Sequence, residues 1–457
     1  MKEIDFKNEG LKYYDQALNS LKEFVSINTI NDQSTIKEGQ PFGKGVRLGL
    51  DYVASLGEKL GFKVDRCDYY CTELSIGEGP LIDVYAHADV VPVSKNWKTD
   101  PFYPTIKDNT MYARGCSDDK GPLISCLYGI KMLIDNNLID GYKVRFIVGG
   151  DEERGSECLE HYFHSLHKQY PTYGISPDAN YPLIFAEKGI YAYNSTYNID
   201  LKGIKSFSFG QALNIVLDEV NIDIDSSIKD IISKYASSHK EVKITYENNT
   251  LNIKGKASHG SVPWNGINAG LHLLNLLSEY LNLPILHDIY EFYKIGDGKA
   301  FNGNYSSKYF KESSYCVGKM EYSNGKLSLF VNMRLPDNTT CAQAIENVKN
   351  NTKCNEVESL GGSDGFIIDP ESDFIQALLK VYQKHTGDTK SKPCAIGGGT
   401  YSRETKNTVA FGMEFPEVDT LMHQDGEFLP LDAFKVSIGI YGEAIYQMGL
   451  LASKKNK

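Results

Sequence analysis

Apolar side chains recur at Val46, Leu50, Val53, Leu56 and Leu60, a three-to-four-residue spacing that gives a helix one apolar face. The run Leu81-Ile82-Asp83-Val84-Tyr85-Ala86 is short and largely apolar, as expected of a strand covered on both sides. Pro122 stands where a helix would begin. Leu123, Cys126, Leu127, Ile130, Leu133 and Ile134 then follow at helical spacing. Lys143-Val144-Arg145-Phe146-Ile147-Val148 supplies the next strand. Strand, helix and strand in succession predict a right-handed crossover and a doubly wound α/β sheet.

The pattern changes after about Gly189. Ile190 to Leu201 and Val242 to Lys256 read as strands, the second folded back at Asn248-Asn249, and Ile267 to Leu281 is strongly amphipathic. Cys316 to Leu335 reads as a hairpin turning at Asn324-Gly325, a dipeptide suited to the two positive φ angles of a tight hairpin turn. Thr340 to Val348 predicts a further helix. Two strands, a helix, two strands and a helix predict an α+β sandwich with one sheet and its helices on one face. Helical spacing resumes at Phe374-Ile375-Leu378-Leu379-Tyr382, and a last helix is expected around Leu431 to Leu450. The expectation is a discontinuous α/β domain of mixed sheet, residues 1–187 and 367–457, interrupted by an α+β insertion, residues 188–366.

Composition narrows the function. The 457 residues carry 48 Lys+Arg against 59 Asp+Glu, a net charge of −11. Proteins that live on phosphate contacts need a basic surface, so nucleic acid is not an expected partner. Nine cysteines, none in a C-x-x-C pair, read as reduced thiols of a cytoplasmic protein. The N-terminus lacks the apolar core of a secretory signal. No apolar run reaches the roughly 18 residues of a membrane span. The expected protein is soluble and touches no membrane.

The chemistry gathers just past the strands. The strand at 81–86 runs into His87-Ala88-Asp89, and that at 143–148 into Gly149-Gly150-Asp151-Glu152-Glu153. Ser117-Asp118-Asp119-Lys120-Gly121 stands ahead of the crossover helix. Open α/β sheets bind ligands beyond the carboxyl ends of their strands. One crevice would therefore hold a histidine and several carboxylates, and like charges so close call for cations among them.

These segments, with Ser176-Pro177-Asp178-Ala179, resemble the successive signatures of one metallopeptidase family. It comprises the aminoacylases, acetylornithine and succinyl-diaminopimelate hydrolases, and carboxypeptidase-G-like enzymes. Ala395 to Arg403 and Met422-His423-Gln424 resemble its PepV-type dipeptidase branch. The resemblance implies a zinc-exopeptidase-like catalytic domain with the insertion as a lid. It implies two divalent ions, Zn²⁺ first, with Mn²⁺ or Co²⁺ as alternatives. His87 and Asp178 would hold one ion, Glu153 and His423 the other, and Asp118 would bridge them across a cis peptide to Asp119. Asp89 would accept the His87 imidazole N–H, and Glu152 would be the general base.

The resemblance also assigns His259 to the oxyanion of the tetrahedral intermediate. The substrate's C-terminal carboxylate would lie against Gly397, Gly398, Gly399 and Thr400, with Arg334 as the nearby arginine and Arg403 as second choice. Asn214 is a further substrate contact. Leu217 stands where relatives tend to have proline, and Gly426 where an acidic or amide residue is expected. The implied function is hydrolysis of dipeptides with a free C-terminal carboxylate by a functional monomer. The alternatives are an N-acyl- or N-succinyl-amino-acid amidohydrolase of the same family and, in another class, a non-catalytic metal-binding protein.

Overall fold

In the computed structural model, which describes residues 4–455, the strand Leu81–His87 lies parallel to Lys143–Gly149, with Leu81 opposite Lys143 and His87 opposite Gly149. The helix Lys120–Asp135 falls between them in the chain. The expected strand–helix–strand unit is therefore present. The sheet runs in the order Lys63–Asp65, Cys71–Gly77, Lys143–Gly149, Leu81–His87, Tyr173–Ser176, Thr408–Ala410 and Ile184–Glu187. Cys71–Gly77 is antiparallel to its neighbour, while Tyr173–Ser176 and Thr408–Ala410 continue the parallel set. The sheet is thus mixed.

Its central strands are apolar because both faces are covered. Ile82, Val84, Tyr85 and Ala86 are all fully buried. The helices Lys120–Asp135 and Leu431–Lys455 pack so closely that a methyl group at Gly129 would lie 2.8 Å from the Gly442 nitrogen. Only glycine permits that approach.

The chain divides into two compact units. One comprises residues up to Phe185, Ile368–Cys394 and those from Thr400 onward; the other comprises Ala186–Ile367 and the short stretch Ala395–Gly399. The second unit contains a five-stranded antiparallel sheet in the order Ser206–Phe209, Ser314–Ser323, Lys326–Leu335, Gly189–Asn198 and Glu356–Ser363. The hairpin within it turns at Asn324 and Gly325, with φ of 50° and 74°. That is the left-handed pair an Asn-Gly turn predicts.

Where the sequence suggested one sheet, the second unit has two. Glu219–Asp223, Thr250–Lys254 and Lys243–Glu247 form a separate three-stranded sheet. Glu219–Asp223 alternates exposed and buried residues, a pattern that fixes which face is covered but not which sheet the strand joins. The helices Lys229–Ser238 and Pro284–Tyr293 were not anticipated. Ala269–Leu281, by contrast, buries Leu271, Leu273, Leu274, Leu276 and Leu277 as its pattern demands.

Candidate metal centre

His87 is the last residue of its strand and is completely buried. The next turn of chain draws the neighbouring strand's loop toward it, since Ala88 donates its N–H to the Gly149 carbonyl at 2.9 Å. The Asp89 carboxylate accepts the backbone N–H of Glu152 at 3.1 Å and of Glu153 at 3.2 Å. The loop is gripped from its other side by Asp151. That carboxylate accepts from the N–H groups of Glu157 and Cys158, and its carbonyl accepts from Arg154, Gly155 and Ser156. Glu152 and Glu153 therefore project from a turn whose backbone is pinned at both ends.

Asp118 lies in the turn before the helix Lys120–Asp135, and the Asp118–Asp119 peptide is cis. Its two oxygens divide between two histidines: Oδ1 is 2.9 Å from His87 Nε2, and Oδ2 is 2.8 Å from His423 Nε2. His423 Nε2 also lies 3.1 Å from Glu153 Oε2, and His87 Nε2 lies 3.7 Å from Asp178 Oδ2. Asp178 follows the strand Tyr173–Ser176. His87, Asp118 and Glu153 form one group with donor atoms all within 4.8 Å of each other, and His87, Glu152 and Asp178 form another.

The protonation states show what this cluster needs. His87 Nδ1 is 3.0 Å from the Asp89 carbonyl, a pure acceptor, so Nδ1 carries hydrogen and Nε2 is aimed at carboxylates. Burial would lower the His87 pKa, but Asp118 and then Asp89 raise it well above the ordinary imidazole value. Asp118, then Glu153, push His423 up to about 11. Burial and then Asp118 push Glu153 to about 7 and Asp178 to about 6. Carboxylates that bind protons so avidly are short of positive charge. Imidazole nitrogen and carboxylate oxygen are the donors divalent zinc or manganese takes, so the residues fit two divalent ions.

The Asp89 carboxylate lies beside the imidazole of His87, its Oδ1 3.4 Å from Nδ1, and helps to raise that ring's pKa. The closer partner of Nδ1 is Asp89's own backbone carbonyl. The carboxylate's shorter bonds go to the Glu152 and Glu153 backbone, because a carboxylate finds well-aligned donors in a turn of exposed N–H groups. Asp151 was not singled out at all, although an Asp heading a short polar turn is a standard signal for capping. Burial pushes its pKa up to about 6.

The remaining candidates fall in two places. In the first unit, the Thr400 hydroxyl accepts the Ser402 N–H and so caps the turn Tyr401–Glu404. The Arg403 side chain is buried beside Glu404. In the second unit, the exposed Asn214 holds the histidine loop, its carbonyl accepting the Gly260 N–H at 2.7 Å. His259 Nδ1 is 2.7 Å from Ser261 Oγ. Buried Arg334 donates from Nε to Asn332 at 2.8 Å and from a terminal nitrogen to the Gly397 carbonyl at 3.2 Å. A methyl group at Gly397 would lie 2.9 Å from Ser261 Cβ. Arg334, the Gly397–Gly399 loop, Asn214 and His259 are thus neighbours in one unit.

Known proteins agree with this architecture. The model of peptidase family M20/M25/M40 matches residues 84–447. The chain is 31% identical over 468 residues to "Putative dipeptidase SH1171" of Staphylococcus haemolyticus, spanning 97% of this chain and 99% of that protein. A Staphylococcus aureus strain USA300 protein with the same form of name is 30% identical, with the same coverage. Among solved structures, an M20 family metallo-carboxypeptidase from Sulfolobus solfataricus superposes with TM-score 0.59 at 19% identity, over 95% of this chain and 100% of that one. The di-peptidase Dug1p of Saccharomyces cerevisiae gives TM-score 0.59 at 13% identity, over 97% and 98% of the two chains. A match across most of the chain, together with a relative of that identity along its whole length, places this chain in the M20/M25/M40 peptidase family.

Proposed function

We propose that this chain, a metal-dependent dipeptidase, uses a dinuclear centre bridged by Asp118 to cleave dipeptides that carry a free C-terminal carboxylate. The observation that carries this reading is the division of the Asp118 carboxylate, one oxygen to each of two histidines. His87 and Asp178 would hold one ion, and Glu153 and His423 the other. Zn²⁺ is the ion proposed, with Mn²⁺ or Co²⁺ as substitutes. Such ions polarise the scissile carbonyl and make water a nucleophile near neutral pH.

The chain's own residues do the rest. Glu152 is half-buried beside His87 and Asp178, and its pKa is raised by desolvation first and then by Asp178. A carboxylate so tuned takes the proton of the attacking water and passes it to the leaving amine. Asp89 and Asp151 hold the turn that aims it. In the second unit, a Ser261 hydroxyl donating to His259 Nδ1 leaves the ring proton on Nε2, where it can donate to the oxyanion. Arg334, its fork already oriented by Asn332, would receive the substrate's carboxylate with the Gly397–Gly399 loop. Asn214 would contact the substrate beside His259. Both contributions are proposed to come from the same chain, so the monomer would be active.

The test is a panel of dipeptides, their C-terminal amides, tripeptides and N-acetyl amino acids, assayed with protein stripped by chelator and reloaded with Zn²⁺, Mn²⁺ or Co²⁺. Preferred cleavage of free dipeptides supports the reading. Preferred cleavage of N-acyl amino acids moves the function to amide hydrolysis outside peptides.

A further inference from the structure

Beyond the proposed ligands lies a fully buried ion pair, Arg114 with Glu427, at 2.6 Å. It joins two parts of the chain that carry different ligands. Glu427 follows His423 in the same loop, and Arg114 precedes Asp118 in the same turn. The Glu427 carboxylate has every approach filled. Oε1 accepts the backbone N–H of Ser117 at 2.8 Å and of Asp118 at 3.1 Å, and Oε2 accepts that of Gly115 at 2.9 Å as well as the guanidinium. Arg114 answers in the other direction, donating at 3.2 Å to the carbonyl of Gln424, the residue directly after His423. The ring of Trp97 lies 5.2 Å from its guanidinium carbon.

The loop being held has little regular structure of its own. Leu421, His423 and Gly426 all have positive φ, at 57°, 62° and 87°. For the first two this is a conformation that costs energy and persists only when its surroundings enforce it. A buried ion pair adds little net stability over an apolar pair of the same shape, because desolvating both charges offsets their attraction. This one instead satisfies three backbone N–H groups of the turn that carries Asp118, those of Gly115, Ser117 and Asp118.

From this arrangement we infer that Arg114 and Glu427 act as positioning residues: a clamp that presets His423 against Asp118, and so sets the affinity of the ion those two share with Glu153. The inference rests on the dinuclear reading above. It assigns to Glu427 the support that Gly426, in the place where an acidic or amide residue was expected, does not give.

Groups that orient metal ligands without touching the metal typically contribute about 10–100-fold to metal affinity. The experiment measures Zn²⁺ affinity by competition with a chromogenic chelator, using stripped wild-type protein, Glu427→Gln and Arg114→Lys, each checked for native near-ultraviolet circular dichroism. Glutamine keeps the shape but turns an amide NH₂ toward N–H donors. Lysine keeps the charge but cannot reach Glu427 and the Gln424 carbonyl together. The inference predicts two ions for the wild type, and for each folded variant a loss of about 10–100-fold at one of them. Arg114→Lys decides the matter if Glu427→Gln does not fold. Wild-type affinity at both sites in a folded variant overturns the clamp and leaves the functional reading standing. A wild-type protein that binds no divalent ion overturns both.

Discussion

Asp118 Oδ2 lies 2.8 Å from His423 Nε2, joining a turn in the first part of the chain to a loop close to its end. The other oxygen of the same carboxylate faces His87. A carboxylate in this position is a shared ligand in form, and removing it should affect both halves of the centre. Asp118→Ala is expected to bind neither ion tightly, whereas Asp178→Ala should weaken chiefly one. Isothermal titration of the stripped variants with Zn²⁺ separates the cases, and a variant at Asp118 that still binds two ions tightly speaks against bridging.

Glu152→Gln removes the proton acceptor but leaves every proposed ligand. Positioned acid–base groups typically contribute 10²–10⁴-fold, so kcat should fall by about that factor while metal content stays at the wild-type level. Near-native kcat with full metal would make Glu152 a structural residue.

His259→Ala should lose about 10²–10³ in kcat, the usual effect of deleting one oxyanion donor, with both ions retained. Mixing it with Glu152→Gln tests whether one chain supplies both residues. The monomer proposal predicts no recovery of activity. Recovery on mixing would mean that the histidine crosses between chains.

Arg334→Met should act on binding and selectivity. Hydrogen bonds to a charged group contribute about 1.5–3 kcal/mol, or about 10–100-fold. KM for dipeptides is therefore expected to rise by that factor. The preference for free dipeptides over their C-terminal amides should collapse in kcat/KM. An undiminished preference would place the carboxylate elsewhere.

Stability should depend on pH through His272, which is buried in the helix Ala269–Leu281 with Nδ1 3.0 Å from Tyr235 Oη and Nε2 3.8 Å from Glu241. Burial draws its pKa down to about 4, against an opposing pull from Glu241 and with a further push down from His239. Unfolded, the ring titrates near 6.5, so below that pH the unfolded chain takes up a proton that the folded chain refuses. This contribution to stability is present above about pH 6.5 and is lost as pH falls toward 4. A tenfold difference in proton affinity between the two states is worth about 1.4 kcal/mol, so about 2 kcal/mol should disappear between pH 8 and pH 5. Urea denaturation should show that loss in the wild type but not in His272→Gln. Parallel pH profiles for the two would contradict it.

How much of this was legible beforehand depended on the kind of signal. The strand ends at His87 and Gly149 were readable because buried parallel strands are continuous apolar runs, and polar residues mark where they stop. Asn324-Gly325 was readable because few dipeptides accept two positive φ angles. The reach of Asp89 was not, since a carboxylate beside an imidazole in sequence says nothing about which donors a folded turn will offer it. Arg114 and Glu427 were invisible for the same reason, their partners being each other and backbone groups far along the chain. The helix Pro284–Tyr293 carried an apolar stripe through Leu286, Ile289, Tyr290 and Tyr293 that could have been found. The separate three-stranded sheet could not, because alternation identifies a buried face without naming what buries it.

The central claim is that two divalent ions, bridged by Asp118, make this chain a dipeptidase. The most direct measurement counts bound metal by elemental analysis while following dipeptide hydrolysis, before and after exhaustive chelation and after adding back Zn²⁺, Mn²⁺ or Co²⁺. The account predicts two ions per chain, activity that vanishes with them, and recovery that saturates at two equivalents. Undiminished hydrolysis by protein shown to contain no divalent ion would contradict it.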